Sequence, residues 1–295
     1  MRLPDFLIIG AAKSGTTTLY KYLSRHPQFY CPGDLPNFSS TKEPNFFGMD
    51  EHYAKGIDHY SSLFAGAQED QICGEASTDY AKWSKFPHAA PRIAKAIPQV
   101  KLIYLMRNPV DRAYSYYVHL NRDSKVEETF EEHIARTNVC LNGSNYMMQI
   151  EQYLQFFPKE SFLFLLTEDL IDRPAETMRQ VFDFLDIDPD VDVTQESEIT
   201  ANQANKRFED TIREKITAPL RENPIIATVA YMVPQSWRDG AYNLLQKTSY
   251  GEDVKNEYLP PPMLPETRQM LLEQFHEPNQ KLANFIGRDL SHWNL

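Results

Sequence analysis

The sequence predicts an α/β fold: a parallel β-sheet with helices on both faces and a helical C-terminal part. Three observations predict it. Short apolar runs, continuous as in strands buried on both faces, alternate with segments of helical periodicity. The first of these runs leads straight into a Gly-framed turn, Gly10 to Gly15, that opens a helix. The strand-like runs then stop near Ile199, and the remainder reads as helices.

Taken in order, the strands are expected at Asp5 to Gly10, Ile72 to Glu75, Lys101 to Met106 and Ser161 to Leu166. Helices are expected after Gly15, Asn108, Glu127, Ser144 and Pro174. From Phe29 to Pro44 the composition shifts to Pro, Gly, Asn and Ser, which marks a surface loop over the strand ends, where function usually resides. Beyond Ile199, Leu259-Pro260-Pro261-Pro262 breaks the chain before a last helix from Pro265 to Phe285. The segment Ile225 to Thr248 mixes aromatics with Arg238 and Lys247. It reads as an amphipathic helix packed on the core, with a flap over an acceptor as the alternative. The whole is expected to be a single domain, 1–295, with a core at about 4–190 and a helical cap at about 200–295.

Composition limits the function. With 42% hydrophobic and 12% aromatic residues against 24% charged, the chain can bury a core, which excludes disordered, collagen-like and coiled-coil readings. A net charge of -11 argues against a nucleic-acid partner, which would be held by excess Lys and Arg, but leaves room for a local basic pocket. Cys31, Cys73 and Cys140 are too few and too scattered for a disulfide framework or a zinc site, which favours a reducing compartment. The apolar run at Phe6 leaves no space before it for a signal peptide, and the longest apolar stretch, Ile225 to Val233, falls far short of the ~20 residues that span a bilayer. A cytoplasmic protein with no membrane segment is expected.

Gly10-Ala11-Ala12-Lys13-Ser14-Gly15-Thr16-Thr17-Thr18 lies between a buried strand and a helix, where backbone N–H groups and the helix N-terminus form an anion nest. Gly10 and Gly15 have the spacing of a nucleotidase P-loop, yet Thr16 occupies the lysine position and the lysine is at 13. The strand Leu102 to Met106 runs into Arg107 and offers no aspartate for magnesium. The loop is therefore expected to hold phosphate without splitting a triphosphate. A second constellation follows: Arg107 at a strand end, Pro109 in the first turn of a helix, and Ser115 almost two turns in. A guanidinium and a hydroxyl so placed can converge on another phosphate. Two phosphate sites and no metal site suggest a nucleotide phosphorylated at both ends of its ribose.

These stretches resemble the sulfotransferases that use 3'-phosphoadenosine 5'-phosphosulfate (PAPS). Lys13-Ser14-Gly15-Thr16-Thr17 is similar to that family's 5'-phosphosulfate loop, and Arg107 with Ser115 is similar to its 3'-phosphate site. Glu43-Pro44-Asn45-Phe46-Phe47, His52 to Asp58, Asp111 to Tyr117, Glu168-Asp169-Leu170 and Phe184-Leu185 extend the resemblance toward the glycan type, in particular the heparan sulfate N-sulfotransferase domain. It covers about residues 4 to 190, with a weaker echo at Phe275, Asn279 and Trp293.

The resemblance implies the P-loop-like sulfotransferase fold, PAPS as donor, adenosine 3',5'-bisphosphate (PAP) as product, and no metal. It implies donor contacts from Ala12 through Thr18 and from Arg107 and Ser115. In-line sulfuryl transfer requires positive charge at the leaving phosphate and a base for the acceptor's proton. Lys13 is expected to supply the charge. Glu43 stands on the loop over the strand ends and matches the family's base position, with Lys13 or Lys42 keeping it ionised. His119, one turn beyond Ser115, is similar to a histidine near the acceptor of the N-sulfotransferase group.

One position departs from the glycan type: Glu75 is followed by Ala76 where many members have a lysine, which removes a contact to an anionic sugar. Together with the acidic balance, this favours a small-molecule (natural product) or sugar acceptor over a long polyanion, and leaves open whether a hydroxyl or an amino group is sulfated. The rival readings are a P-loop nucleotide kinase and a non-catalytic nucleotide-binding protein.

Overall fold

A computed structural model of the chain describes residues 1–33, 40–121, 125–194, 212–217, 240 and 242–295. Of the expected helix or flap between Ile225 and Thr248, residues 225–239 and 241 lie outside the described residues, as does the middle of the 29–44 loop. The chain divides into two compact units. The first comprises Met1–Ala113, Asn138–Ile199 and Arg268–Leu295, and the second Tyr114–Thr137 and Thr200–Thr267.

The first unit is built on five parallel strands: β1 (Phe6–Gly10), β2 (Phe29–Tyr30), β3 (Ile72–Glu75), β4 (Lys101–Met106) and β5 (Phe162–Leu166). Their order across the sheet is β2-β3-β1-β4-β5. The four expected strands are all present, within a residue of their predicted bounds. β2 was missed because two residues of an edge strand carry no periodicity. The continuous apolar runs have the cause anticipated for them. Leu7 and Ile9 of β1, with Leu102, Tyr104 and Met106 of β4, pack into one core cluster. Phe6 and Ile8, with Ile103 and Leu105, pack into the other. Because side chains alternate across a pleated sheet, a strand that feeds two cores is apolar at every position.

The crossover helices cover both faces. On one side lie α1 (Thr16–Leu23) and, after β5, α9 (Thr167–Asp172) and α10 (Pro174–Leu185). The other face carries α2 (Asp50–Tyr53), α3 (Ile57–Ser62), α4 (Ala89–Ala96), α8 (Tyr146–Tyr153), which follows the short α7 (Val139–Asn142), and the C-terminal end of the last helix, α12 (Pro265–Ile286), through Leu282, Ala283, Phe285 and Ile286. The C-terminus is part of this unit's core: Trp293 is wholly buried, donates from Nε1 to Glu168 at 2.9 Å and accepts at its carbonyl from Asn108 Nδ2 at 3.0 Å. β1 and β4 send their connections in opposite directions across the sheet, which leaves beyond their carboxyl ends the crevice where α/β sheets bind ligands.

Helix α5 (Pro109–Asn121) begins in the first unit and ends in the second. Asn108 caps it, its Oδ1 accepting from the amides of Val110 and Asp111 at 3.0 and 3.3 Å. In the second unit Tyr117 packs on Phe130 and His133 of α6 (Phe130–Arg136), whose start is a capping box between Thr129 and Glu132. Ile212, Ile216 and Val254, the last on α11 (Ser249–Tyr258), form a small separate core there. The described residues beyond Ile199 are helical or loop, as the sequence suggested.

Candidate functional site

The carboxyl ends of β1, β3, β4 and β5 hold the candidate site. After Gly10 the chain turns through two residues with positive φ, Lys13 at 74° and Gly15 at 95°. Glycine relieves the second; the first places a lysine in the left-handed region, a strain characteristic of functional loops. Gly15 is also the N-cap of α1, and a glycine offers no side chain to cap it. The amides of Gly15, Thr16 and Thr17 donate to no acceptor among the described residues. Three converging N–H groups at the positive end of an eight-residue helix are a site for an anion.

Two side chains from elsewhere in the fold hold this loop. Arg112 of α5 is 1% exposed; its Nε donates to the carbonyl of Ala12 at 2.9 Å, and its Nη1 donates to the carbonyl of Cys140 at 3.0 Å and to Ser144 Oγ at 3.3 Å. Thr167, which follows β5, shares its hydroxyl between the carbonyls of Ser14 at 2.7 Å and Met106 at 2.9 Å. The loop is thus pinned from behind at Ala12 and Ser14, and its amides face outward. The Ser14 hydroxyl is buried beside Tyr146 without a hydrogen bond of normal geometry. Neither anchor was assigned a role from the sequence. The signal available was weak: a charged residue, Arg112, between the apolar positions Val110 and Ala113.

Arg107 leaves the end of β4, whose neighbour in the sheet is β1. Tyr146 Oη grips its backbone from both sides, donating to its carbonyl at 2.7 Å and accepting from its amide at 3.3 Å. The half-buried Arg107 guanidinium has no hydrogen bond or ion pair among the described residues. The Arg107 backbone is thus fixed at the carboxyl end of the strand next to β1, which leads into the phosphate loop.

Glu43 comes to the same loop. Lys42 Nζ bonds Thr17 Oγ1 at 3.1 Å and pairs with the Glu43 carboxylate, so it joins Glu43 to the first turn of α1. Lys42, one of the two lysines anticipated beside Glu43, is paired with it. Glu43 itself is partly exposed, and its amide donates to Ser40 Oγ at 3.0 Å. Behind it the carbonyl of Lys42 accepts from the amide of Ala76 at 2.8 Å, which ties the segment to the end of β3.

Ala12, Lys13, Ser14, Gly15, Thr16, Thr17, Thr18, Arg107 and Glu43 therefore all fall in the first unit, at one edge of the sheet. Ser115 and His119 lie farther along α5, in the second unit, four residues apart on one helix. Ser115 is half-buried, and His119 is in ring contact with Tyr116 at 6.1 Å.

Residues 3–226 match the family described as the sulfotransferase domain, and the chain belongs to it. It is similar to human bifunctional heparan sulfate N-deacetylase/N-sulfotransferase 2, at 31% identity over 212 residues, 65% of this chain and 23% of that protein. It is also similar to mouse heparan sulfate glucosamine 3-O-sulfotransferase 5, at 30% identity over 200 residues, 64% of this chain and 55% of that one. The chain thus spans about a quarter of the first relative's length and about half of the second's. In structure it resembles the sulfotransferase from Alicyclobacillus acidocaldarius, with a TM-score of 0.66 and 25% identity over the whole of both chains.

Proposed function

We propose that this protein transfers the sulfuryl group of PAPS to a hydroxyl or amino group of a small-molecule or sugar acceptor. The observation that carries the proposal is the pairing of three open amides at the start of α1 with the unpaired guanidinium of Arg107 at the next strand end. A nucleotide with phosphates at both its 5' and 3' positions suits two separate anion sites. The family membership and the likeness to two sulfotransferases acting on heparan sulfate support it.

The loop from Ala12 to Thr18 would hold the 5' end of the donor, and Arg107 with Ser115 the 3'-phosphate. The donor supplies an activated sulfuryl group. Lys13, held in the loop by its neighbours' anchors, brings a positive charge to where negative charge gathers as the bond to that group breaks. Glu43 takes the acceptor's proton, and its ion pair with Lys42 holds it beside the first turn of α1. His119 contacts the acceptor.

Calorimetry with adenosine 3',5'-bisphosphate, with and without magnesium, tests the donor site. Binding is expected without the metal, and binding of ATP that requires magnesium, with none of the bisphosphate, would overturn it. An acceptor screen with sulfate-labelled PAPS then tests transfer. In that assay Glu43→Gln should lower turnover by ~10²–10⁴-fold and leave bisphosphate affinity unchanged.

A further inference from the structure

Glu75 ends β3 and is completely buried, yet none of the roles above uses it. Its Oε1 accepts from Tyr80 Oη at 2.7 Å and Tyr60 Oη at 3.1 Å, and its Oε2 accepts from the amide of Ser77 at 2.8 Å. A carboxyl at such depth is costly, and an apolar residue would serve the sheet better. What distinguishes this one is where its partners lead.

Each of the residues it orders touches the segment that bears Glu43. Ser77 Oγ accepts from the amide of Asn45 at 2.9 Å, and Tyr80 Oη accepts from the amide of Phe47 at 3.4 Å. The amide of Ala76, next to Glu75, donates to the carbonyl of Lys42 at 2.8 Å. Asp79, in the same turn, accepts from Asn45 Nδ2 at 2.7 Å. Residues 42, 45 and 47 are thus held from one side by the turn 76–80, and that turn is folded around a single carboxyl.

We infer that Glu75 is a positioning residue for Glu43, its buried carboxyl shaping the 76–80 turn that holds the Lys42-Glu43 segment against the phosphate loop. The inference rests on the reading of Glu43 as the base. Glutamine at position 75 has the same shape but carries a donor on one side, so either the Ser77 amide or the two phenols lose their acceptor. The turn then loosens while the phosphate loop, anchored by Arg112 and Thr167, stays in place.

The test uses the full chain with PAPS and its acceptor, and compares Glu75→Gln, Ser77→Ala and Glu43→Gln singly and in pairs. Glu75→Gln and Ser77→Ala should each lower kcat by ~10–100-fold, since small misplacements of a reacting group cost that much. Bisphosphate affinity should stay within about twofold. In the Glu43→Gln background neither change should lower kcat further, because a residue that acts through another adds nothing once that other is gone. Hydrogen exchange over residues 42–47 should speed up in both variants.

If Glu43→Gln leaves kcat intact, the base assignment falls and this inference with it. If Glu43→Gln is impaired but the second changes multiply its loss, or Glu75→Gln alone is silent, the base assignment stands and only the inference falls. Should Glu75→Gln fail to fold, Ser77→Ala decides by the same two readings, since it removes the link from the turn to Asn45 while leaving the buried carboxyl in place.

Discussion

Arg107 and Arg112 lie five residues apart in one stretch of sequence, and the structure gives them opposite physical behaviour. The Arg112 guanidinium is buried and donates to two backbone carbonyls and a hydroxyl, whereas the half-buried Arg107 guanidinium has no partner among the described residues. Replacing Arg112 by methionine fills most of its volume but strands the carbonyl of Ala12, whereas that of Cys140 keeps its bond from Ser144 Oγ at 3.1 Å. A buried acceptor left unpaired costs ~1–3 kcal/mol, a sizeable part of a typical domain's total stability. Replacing Arg107 by alanine breaks nothing in the free protein, and its stability should move by less than ~0.5 kcal/mol. Its effect should appear only on binding. A lost charge-assisted pair with phosphate is worth ~1.5–3 kcal/mol, which raises the bisphosphate Kd by roughly 10–150-fold.

Two measurements on each variant separate the cases: urea unfolding without ligand, and calorimetric titration with the bisphosphate. Arg107→Ala should keep its denaturation midpoint and lose affinity; Arg112→Met should lose both, the second because Ala12 is no longer held. A destabilised Arg107→Ala, or one that binds within twofold of the unaltered protein, would refute the assignment of its guanidinium to a phosphate.

Other outcomes follow from the same geometry. Lys13→Ala should lower kcat by a larger factor than it raises the donor KM, read in steady-state kinetics, since its charge is needed most where negative charge gathers. Thr167→Val removes the hydroxyl shared by Ser14 and Met106 and should cost ~1–2 kcal/mol in urea unfolding, with a weaker bisphosphate complex. The burial of Glu75 pushes its carboxyl up to about 7, above the 4.5 of a free side chain and against the pull of its Tyr80, Ser77 and Tyr60 hydrogen bonds. The folded state therefore holds a proton that the unfolded chain releases between those values. Stability should fall as pH rises from about 4.5 to about 7 and then level off, by up to ~3 kcal/mol. Scanning calorimetry across that range should show the fall in the unaltered protein and a flatter profile in Glu75→Gln.

The sequence by itself determined whatever depends on neighbours along the chain. Unbroken apolar runs at Phe6 and Leu102 marked strands buried on both faces, because only such strands need no polar side. Gly15 before three threonines marked a turn opening a helix, because the turn needs positive φ and the helix leaves its first amides free. Arg107 before Asn108-Pro109 marked a strand end and a helix start, because proline suits the first turn. What the tertiary structure alone decided is which distant residues support these local features. Arg112 reaches Ala12 from 100 positions away and Thr167 reaches Ser14 from 153, while the Glu75 network meets the Glu43 segment across about 30. No periodicity or motif records such pairings. They arise when parallel strands bring their carboxyl ends to one edge of a sheet, where backbone carbonyls and amides that no ladder satisfies must find partners among whatever side chains the fold delivers there.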